Sequence, residues 1–179
     1  MTDRQKLEDL FAKHGFADFR WIDPATIVVA QWVRMKCLYG CPDYGKAGCC
    51  PPNTPSVAEC ERFFRDYSTA VLFHFEKTVA KPEDRHEWTR GLNRRLSDLE
   101  RDVFLAGHVK AFLLFMDTCA LCTPCSGTRA ECKDPKRARP SPDALAVDVF
   151  STILRAGYPI EVLTDYGRAM NRYAFLLID

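Results

Sequence analysis

Thr26-Ile-Val-Val-Ala-Gln-Trp-Val33 is β-branched and almost wholly apolar. A run of that kind, without polar alternation, predicts a strand buried on both faces, which is the habit of strands in parallel sheets covered by helices. Thr69-Ala-Val-Leu-Phe-His-Phe75 and His108-Val-Lys-Ala-Phe-Leu-Leu-Phe-Met116 read the same way, with the apolar core of the latter running from Lys110. Ile160-Glu-Val-Leu163 and Tyr173-Ala-Phe-Leu-Leu-Ile178 are expected as a closing strand pair, with Asp165-Tyr166-Gly167 starting the turn between them.

Helical periodicity fills the intervals. Thr2 to His14 places Leu7, Leu10 and Phe11 on one face, with a capping box at Thr2-x-x-Gln5 and Gly15 as its stop. Ser56-Val-Ala-Glu59 is a second capping box, opening a helix to about Tyr67 with Val57, Cys60, Phe64 and Tyr67 along one stripe. Pro82 to Ala106 is the longest helix, carrying Trp88, Leu92, Leu96, Leu99 and Val103 at helical spacing, with Gly91 as its weak point. Ser141-Pro142-Asp143 opens a last helix, running to about Arg155 and ended by Gly157. The expected fold is therefore an α/β single domain spanning 1–179, with a mixed, largely parallel sheet of about five strands flanked by helices. Two long cysteine-rich loops interrupt it.

The first loop is Cys37-Leu-Tyr-Gly-Cys41-Pro-Asp-Tyr-Gly-Lys-Ala-Gly-Cys49-Cys50-Pro-Pro-Asn-Thr-Pro55. A stretch this long without regular structure needs something else to organise it, and thiolates on a metal would do so. Cys37, Cys41 and Cys50 are three candidate ligands. Cys60 is a candidate fourth, or else a buried helix cysteine, and Cys49 competes for the same role. The second loop, Cys119-Ala-Leu-Cys122-Thr-Pro-Cys125-Ser-Gly-Thr-Arg-Ala-Glu-Cys132, has the steps C-x2-C-x2-C-x6-C. Three thiolates at successive three-residue steps wrap one centre, as in the bacterial ferredoxin arrangement of a [4Fe-4S] cluster, although the last interval there is three residues. Structural zinc is the alternative, and it favours two well-separated cysteine pairs over three crowded steps. If the strands before the two loops run parallel, both loops lie on one rim and one or two clusters are neighbours. His74 and His108 are read as packed or hydrogen-bonded residues. Lys136, Arg137 and Arg139 belong either to a solvated loop or to a cationic surround for the cluster or an acidic partner.

The 179 residues carry a formal net charge of +1, which offers no global attraction for nucleic acid or an anionic membrane. Nine cysteines are an odd number for a closed disulfide framework and too many for a passive core, so metal in a reducing cytoplasm is the expected setting. Neither a signal-peptide core nor a membrane-length apolar window is expected. The motifs of self-contained hydrolases, phosphate-binding loops and dinucleotide folds are also absent.

Cys37-x3-Cys41-Pro-x-Tyr-Gly and Cys50-Pro-Pro-x-x-Pro55, combined with Cys119-x2-Cys122-x2-Cys125 and Cys132-x2-Pro135-x3-Arg139-Pro140-Ser141, resemble a cysteine-rich family of unknown function described as predicted metal-binding proteins. The resemblance runs from about Val33 to the end. It implies metal binding at Cys37, Cys41, Cys50, Cys119, Cys122, Cys125 and Cys132, and no particular reaction. The expectation is an iron-sulfur protein serving electron transfer or activation of a redox enzyme or cofactor, with an unidentified redox partner and room for a homo-oligomer. A zinc-binding structural, partner-binding or metal-delivery protein is the alternative.

Overall fold

The computed structural model describes residues 3–81, 83–165 and 167–179. Its centre is one four-stranded sheet: β1 (Phe19–Ile22), β2 (Ala70–Lys77), β3 (Phe112–Leu114) and β4 (Met170–Leu177), in the order β1-β2-β4-β3. Every neighbouring pair is antiparallel, with Phe19 opposite Phe73, Ala70 opposite Leu177, and Leu114 opposite Phe175. The largely parallel, five-stranded expectation is corrected on both counts.

Side chains alternate across the sheet, and helices cover both faces. Val71, Phe73, Leu113, Ala174 and Leu176 meet Leu7 and Phe11 of α1 (Asp3–Lys13) and Leu92, Leu96, Leu99 and Val103 of α4 (Asp84–Leu105). Ala70, Leu72, Leu114, Phe175 and Leu177 face the opposite way, onto Cys60 and Phe64 of α3 (Val57–Arg65) and Ile153 of α5 (Val149–Arg155). Two-sided cover explains the continuous apolar runs without any need for parallel strands. It also accounts for most of the driving force, since fully burying a Leu or Phe side chain stabilises by about 1.5–3 kcal/mol.

Local signals place several elements where they were expected. Ser56 Oγ accepts from the Glu59 N–H while Glu59 Oε2 accepts from the Ser56 N–H at 2.8 Å, so the α3 capping box is complete. Gly157, with φ of 77°, follows α5 at its end. The proposed Thr2 cap, the Pro82 start and Tyr166 of the turn lie outside the described residues.

Thr26–Val33 is not a strand. Pro24–Thr26 is a 3-10 turn capped by Asp23, Val29 makes an isolated bridge to Val147, and α2 (Gln31–Gly40) begins two residues later. Ile27 and Val29 nonetheless reach the α3/α5 core, so the run is buried by tertiary packing in a form its β propensity did not specify. The helix foreseen from Ser141 is also broken. Asp143–Leu145 is a 3-10 turn, Ala146 adopts a left-handed φ of 61°, and Asp148 starts α5 afresh by accepting from the Ser151 N–H at 3.0 Å. The break frees Val147 to pair with Val29. Ile160–Leu163 forms no strand, and β4 pairs instead with β2 and β3, while the short β1 at the sheet edge is a strand that alternation over four residues was too brief to announce.

Candidate metal centre

α4 is the platform for the second cysteine loop. Along one side it carries Asn93, Ser97 and Glu100, polar yet 0, 5 and 5 % exposed, at the i, i+4, i+7 spacing that aligns side chains on a helix. Asn93 Nδ2 donates to the Thr118 carbonyl at 3.5 Å, and Ser97 Oγ to that of Arg137 at 3.3 Å. Glu100 Oε1 accepts from Arg139 Nε at 2.8 Å and from the Leu113 N–H at 2.9 Å. One turn earlier, Arg90 donates to the Ala120 carbonyl and to Thr123 Oγ1, both at 2.8 Å. Both ends of the loop are thereby tied to one helix. Sequence reasoning overlooked this polar stripe, although its spacing beside Leu92, Leu96, Leu99 and Val103 was a usable signal.

The first cysteine loop follows α2 rather than a strand, yet the two loops meet. Asn53 Nδ2 donates to Ala47 O at 3.2 Å and to Gly127 O, across the loops, at 3.0 Å. A Cβ on Gly48 would stand 2.6 Å from the Thr128 carbonyl oxygen, so glycine is what permits this approach. Arg34 of α2 donates to the carbonyls of Pro55 and Ala144, at 3.1 and 3.0 Å, and clamps the loop's exit to the 3-10 turn.

Consecutive Cys49 and Cys50 join the two cysteine groups. Cys49 is buried and donates to Cys119, and the two share a cavity of about 20 Å³ with Cys122, Cys125 and Cys132. Cys50 Sγ lies 3.2 Å from Thr118 Oγ1 and feels the charges of Cys37, Cys41 and, after them, Cys119. Cys60 takes neither direction: it is 1 % exposed on α3, with Sγ toward the Pro55 carbonyl at 3.7 Å and with Arg34 and Glu59 as its charged neighbours.

Acidity follows from these surroundings. The Cys49 thiol donating to it, with the N–H groups of Leu121 and Arg139, pulls Cys119 down to about 6 against the cost of burial. Its partner Cys49 is pushed far up, because it holds the shared proton and is buried. Burial raises Cys37 and Cys50 as well, assisted at Cys37 by Asp143 and Cys41 and at Cys50 by Cys37 and Cys41. Crowded thiols that repel one another's charge are what a cation relieves. Asp143 lines the cleft beside Cys37 and Cys41, and desolvation together with Asp117 pushes its carboxyl up to about 6. Asp143 is nevertheless exposed to solvent, which screens part of that shift.

His74 bonds to Asp18 and Asn171 at 2.6 and 2.7 Å, and His108 to Asp179 at 3.1 Å. Of the cationic segment, Arg139 is spent on Glu100 and Arg137 lies 3.3 Å from Asp98, so both cations dock the segment onto α4. All nine cysteines are free thiols. Among the described residues, no three His, Cys, Asp or Glu side chains converge closely enough to hold a metal ion as they stand. The donor set nevertheless fits a thiophilic metal: apart from Cys37, which stands on the last turns of α2, the soft ligands of both groups lie on segments 41–56 and 117–141, which carry little regular structure to resist drawing in.

Comparison with known proteins agrees with this chemistry. The family model described as Predicted metal-binding protein (DUF2284) matches residues 20–178, and the chain belongs to that family. No curated protein and no solved structure matches the chain. Among the described residues, no helix is long and apolar enough to cross a membrane.

Proposed function

We propose that this member of the predicted metal-binding family is an iron-sulfur redox protein, with a [4Fe-4S] cluster on Cys119, Cys122, Cys125 and Cys132 and a second centre on Cys37, Cys41 and Cys50. The observation that carries the reading is that consecutive Cys49 and Cys50 bring the two cysteine groups together: Cys49 shares a cavity with the second group, and Cys50 feels Cys37 and Cys41 and, after them, Cys119. Such a cluster supplies reversible one-electron transfer when bound. Cys119 is prepared for negative charge by the N–H donors of Leu121 and Arg139. The Arg90, Asn93, Ser97 and Glu100 stripe holds the loop's backbone so that its thiols stay on one side of α4. Cys60 is left out of the second centre because its thiol faces the Pro55 carbonyl in the α3 core, so three thiolates leave that centre an open position. The role that follows is passing electrons to a redox enzyme, or to a system that activates an enzyme or cofactor, in the cytoplasm.

One observation favours a second reading. A cavity of about 20 Å³ among Cys49, Cys119, Cys122, Cys125 and Cys132 is closer in size to a single ion than to a cubane, which favours one zinc ion once the thiols are drawn in around it. Anaerobic purification with iron, zinc and sulfide analysis and EPR of the reduced protein decides between them. Brown protein with equimolar iron and sulfide and a reduced-cluster signal is expected. Stoichiometric zinc without iron would establish the zinc reading instead.

A further inference from the structure

Arg34 and Cys37 are three residues apart on α2 and so are neighbours on the surface of that helix. Arg34 Nη2 donates to the Ala144 carbonyl at 3.0 Å, which holds the residue next to Asp143 against the same part of α2. Cys37, Cys41 and Asp143 accordingly line one cleft. The 3-10 turn that carries Asp143 is pinned a second time. The Ala30 N–H donates to the Ala146 carbonyl at 2.9 Å and the Asp148 N–H to that of Val28 at 2.7 Å, on either side of the Val29–Val147 bridge. Cys37 and Asp143 therefore stand on fixed elements, Cys41 closes α2, and Cys50 lies in the following segment of little regular structure, which is free to bring its thiol to them.

The other acids of this neighbourhood are spent elsewhere. Asp148 accepts from the Ser151 N–H and hydroxyl at 3.0 and 2.6 Å, Asp117 accepts from the Thr118 N–H at 2.9 Å, and Asp43 pairs with Lys46 Nζ at 3.6 Å. Asp143 is not: its carboxylate accepts from its own N–H, and among the described residues no ion pair joins it to a cation. Lys36, on the same cleft, is turned to the Trp32 ring, 5.1 Å from its centroid. Of the charges that reach Cys37, that of Asp143 is foremost. A carboxylate and three thiols crowded together in this way are stabilised jointly by a cation. Carboxylate oxygen and thiolate sulfur are both within the ordinary ligand range of zinc, with the sulfurs holding the softer bonds.

We propose that Asp143 supplies the fourth ligand of the Cys37–Cys41–Cys50 centre through a carboxylate oxygen. The proposal rests on the metal reading above. Cobalt(II) is the probe, titrated anaerobically into the full chain after dialysis against a chelator. Its thiolate-to-cobalt charge-transfer band reports the thiolates bound, and competition with the chelator reports affinity. Two binding steps are expected, one for each cysteine group. Asp143→Ala should weaken one step by about tenfold or more and leave the other unchanged. The Cys37, Cys41 and Cys50 triple serine variant should lose that same step. Asp143→Cys should restore it with a stronger charge-transfer band, because one more thiolate binds. Asp43→Ala, an exposed acid of the same loop, should leave both steps as in the parent. The Asp143 side chain is exposed, and its backbone carbonyl, not its carboxylate, accepts the Ala146 N–H, so the substitutions leave the turn its bond. If the triple serine variant loses a step that Asp143→Ala keeps at full affinity, the centre stands and Asp143 is not its ligand. Weakening that Asp143→Cys does not rescue, or that Asp43→Ala matches, also overturns the proposal. A triple serine variant that keeps both steps removes the centre itself, and the proposal with it.

Discussion

Arg139 Nε donates to Glu100 Oε1 at 2.8 Å, joining the chain just past the second cysteine loop to a carboxylate 6 % exposed in the middle of α4. The same oxygen accepts the Leu113 N–H of β3 at 2.9 Å, so one buried group fixes the helix, the sheet edge and the loop exit together.

Removing that group orphans a buried N–H and leaves Arg139 without its carboxylate. Glu100→Ala should lower unfolding stability by about 3 kcal/mol in urea denaturation, and Glu100→Gln, which keeps an acceptor, by about 1 kcal/mol. Arg101→Ala, on the exposed side of the same helix, should stay within about 0.5 kcal/mol of the parent. Equal effects at positions 100 and 101 would mean that the buried pair does not anchor the loop.

Gly48 and Gly91 should respond in opposite directions to the same substitution. At Gly48 a Cβ meets the Thr128 backbone at 2.6 Å, whereas at Gly91 it meets nothing within 4 Å. Gly48→Ala must push the cysteine loops apart, and metal retained after dialysis against a chelator should fall at least severalfold. Gly91→Ala should stabilise α4 by about 0.5–1 kcal/mol, the helix-interior advantage of alanine, with metal content unchanged. Thermal melts and metal analysis on both variants check the pair.

Cysteine substitutions should sort by direction of the thiol. Serine at Cys119, Cys122, Cys125 or Cys132 is expected to remove metal from the second loop, and serine at Cys37, Cys41 and Cys50 together to remove about half of the total if each centre holds one equal cluster. Cys60→Ala should cost stability through a small core void while bound metal stays at the parent level. Loss of metal in Cys60→Ala, with the fold intact by circular dichroism, would return Cys60 to the ligand set.

Acid should release one tertiary lock well away from the cysteines. Burial is the largest single influence on Asp18 and raises it, but the Tyr158 hydroxyl, the His74 ring and the Arg20 charge together outweigh burial and hold the carboxyl below its ordinary 3.8. A group with a depressed folded value contributes stability above its unfolded value near 4 and loses that contribution as pH falls through the lower folded value. The melting temperature should therefore drop below about pH 4 in the parent, with a smaller drop in Asp18→Asn. Identical acid profiles for the two proteins would show that Asp18 does not couple the Tyr158 and His74 elements.

Much of this arrangement was legible in the chain because it is local. Ser56 and Glu59 announce a helix start within four residues, and the Leu92 to Val103 spacing reports the buried face of α4. The Ala70 to Phe75 and Tyr173 to Leu177 runs report strands covered on both sides. The two cysteine groups are equally plain from composition and spacing. Tertiary structure alone decided the rest. A continuous apolar run records cover on both faces and says nothing of strand direction, so two-sided cover by helices was mistaken for a parallel sheet. Thr26–Val33 has strand-like residues, but the Val29–Val147 bridge and the Arg34 clamp leave it a turn, one bridge and a helix. Where the Cys49, Cys50 and Cys60 side chains lie depends on backbone direction in a loop and on core contacts of α3. No residue spacing encodes that, because it is set by contacts with Cys119, Thr118 and Pro55.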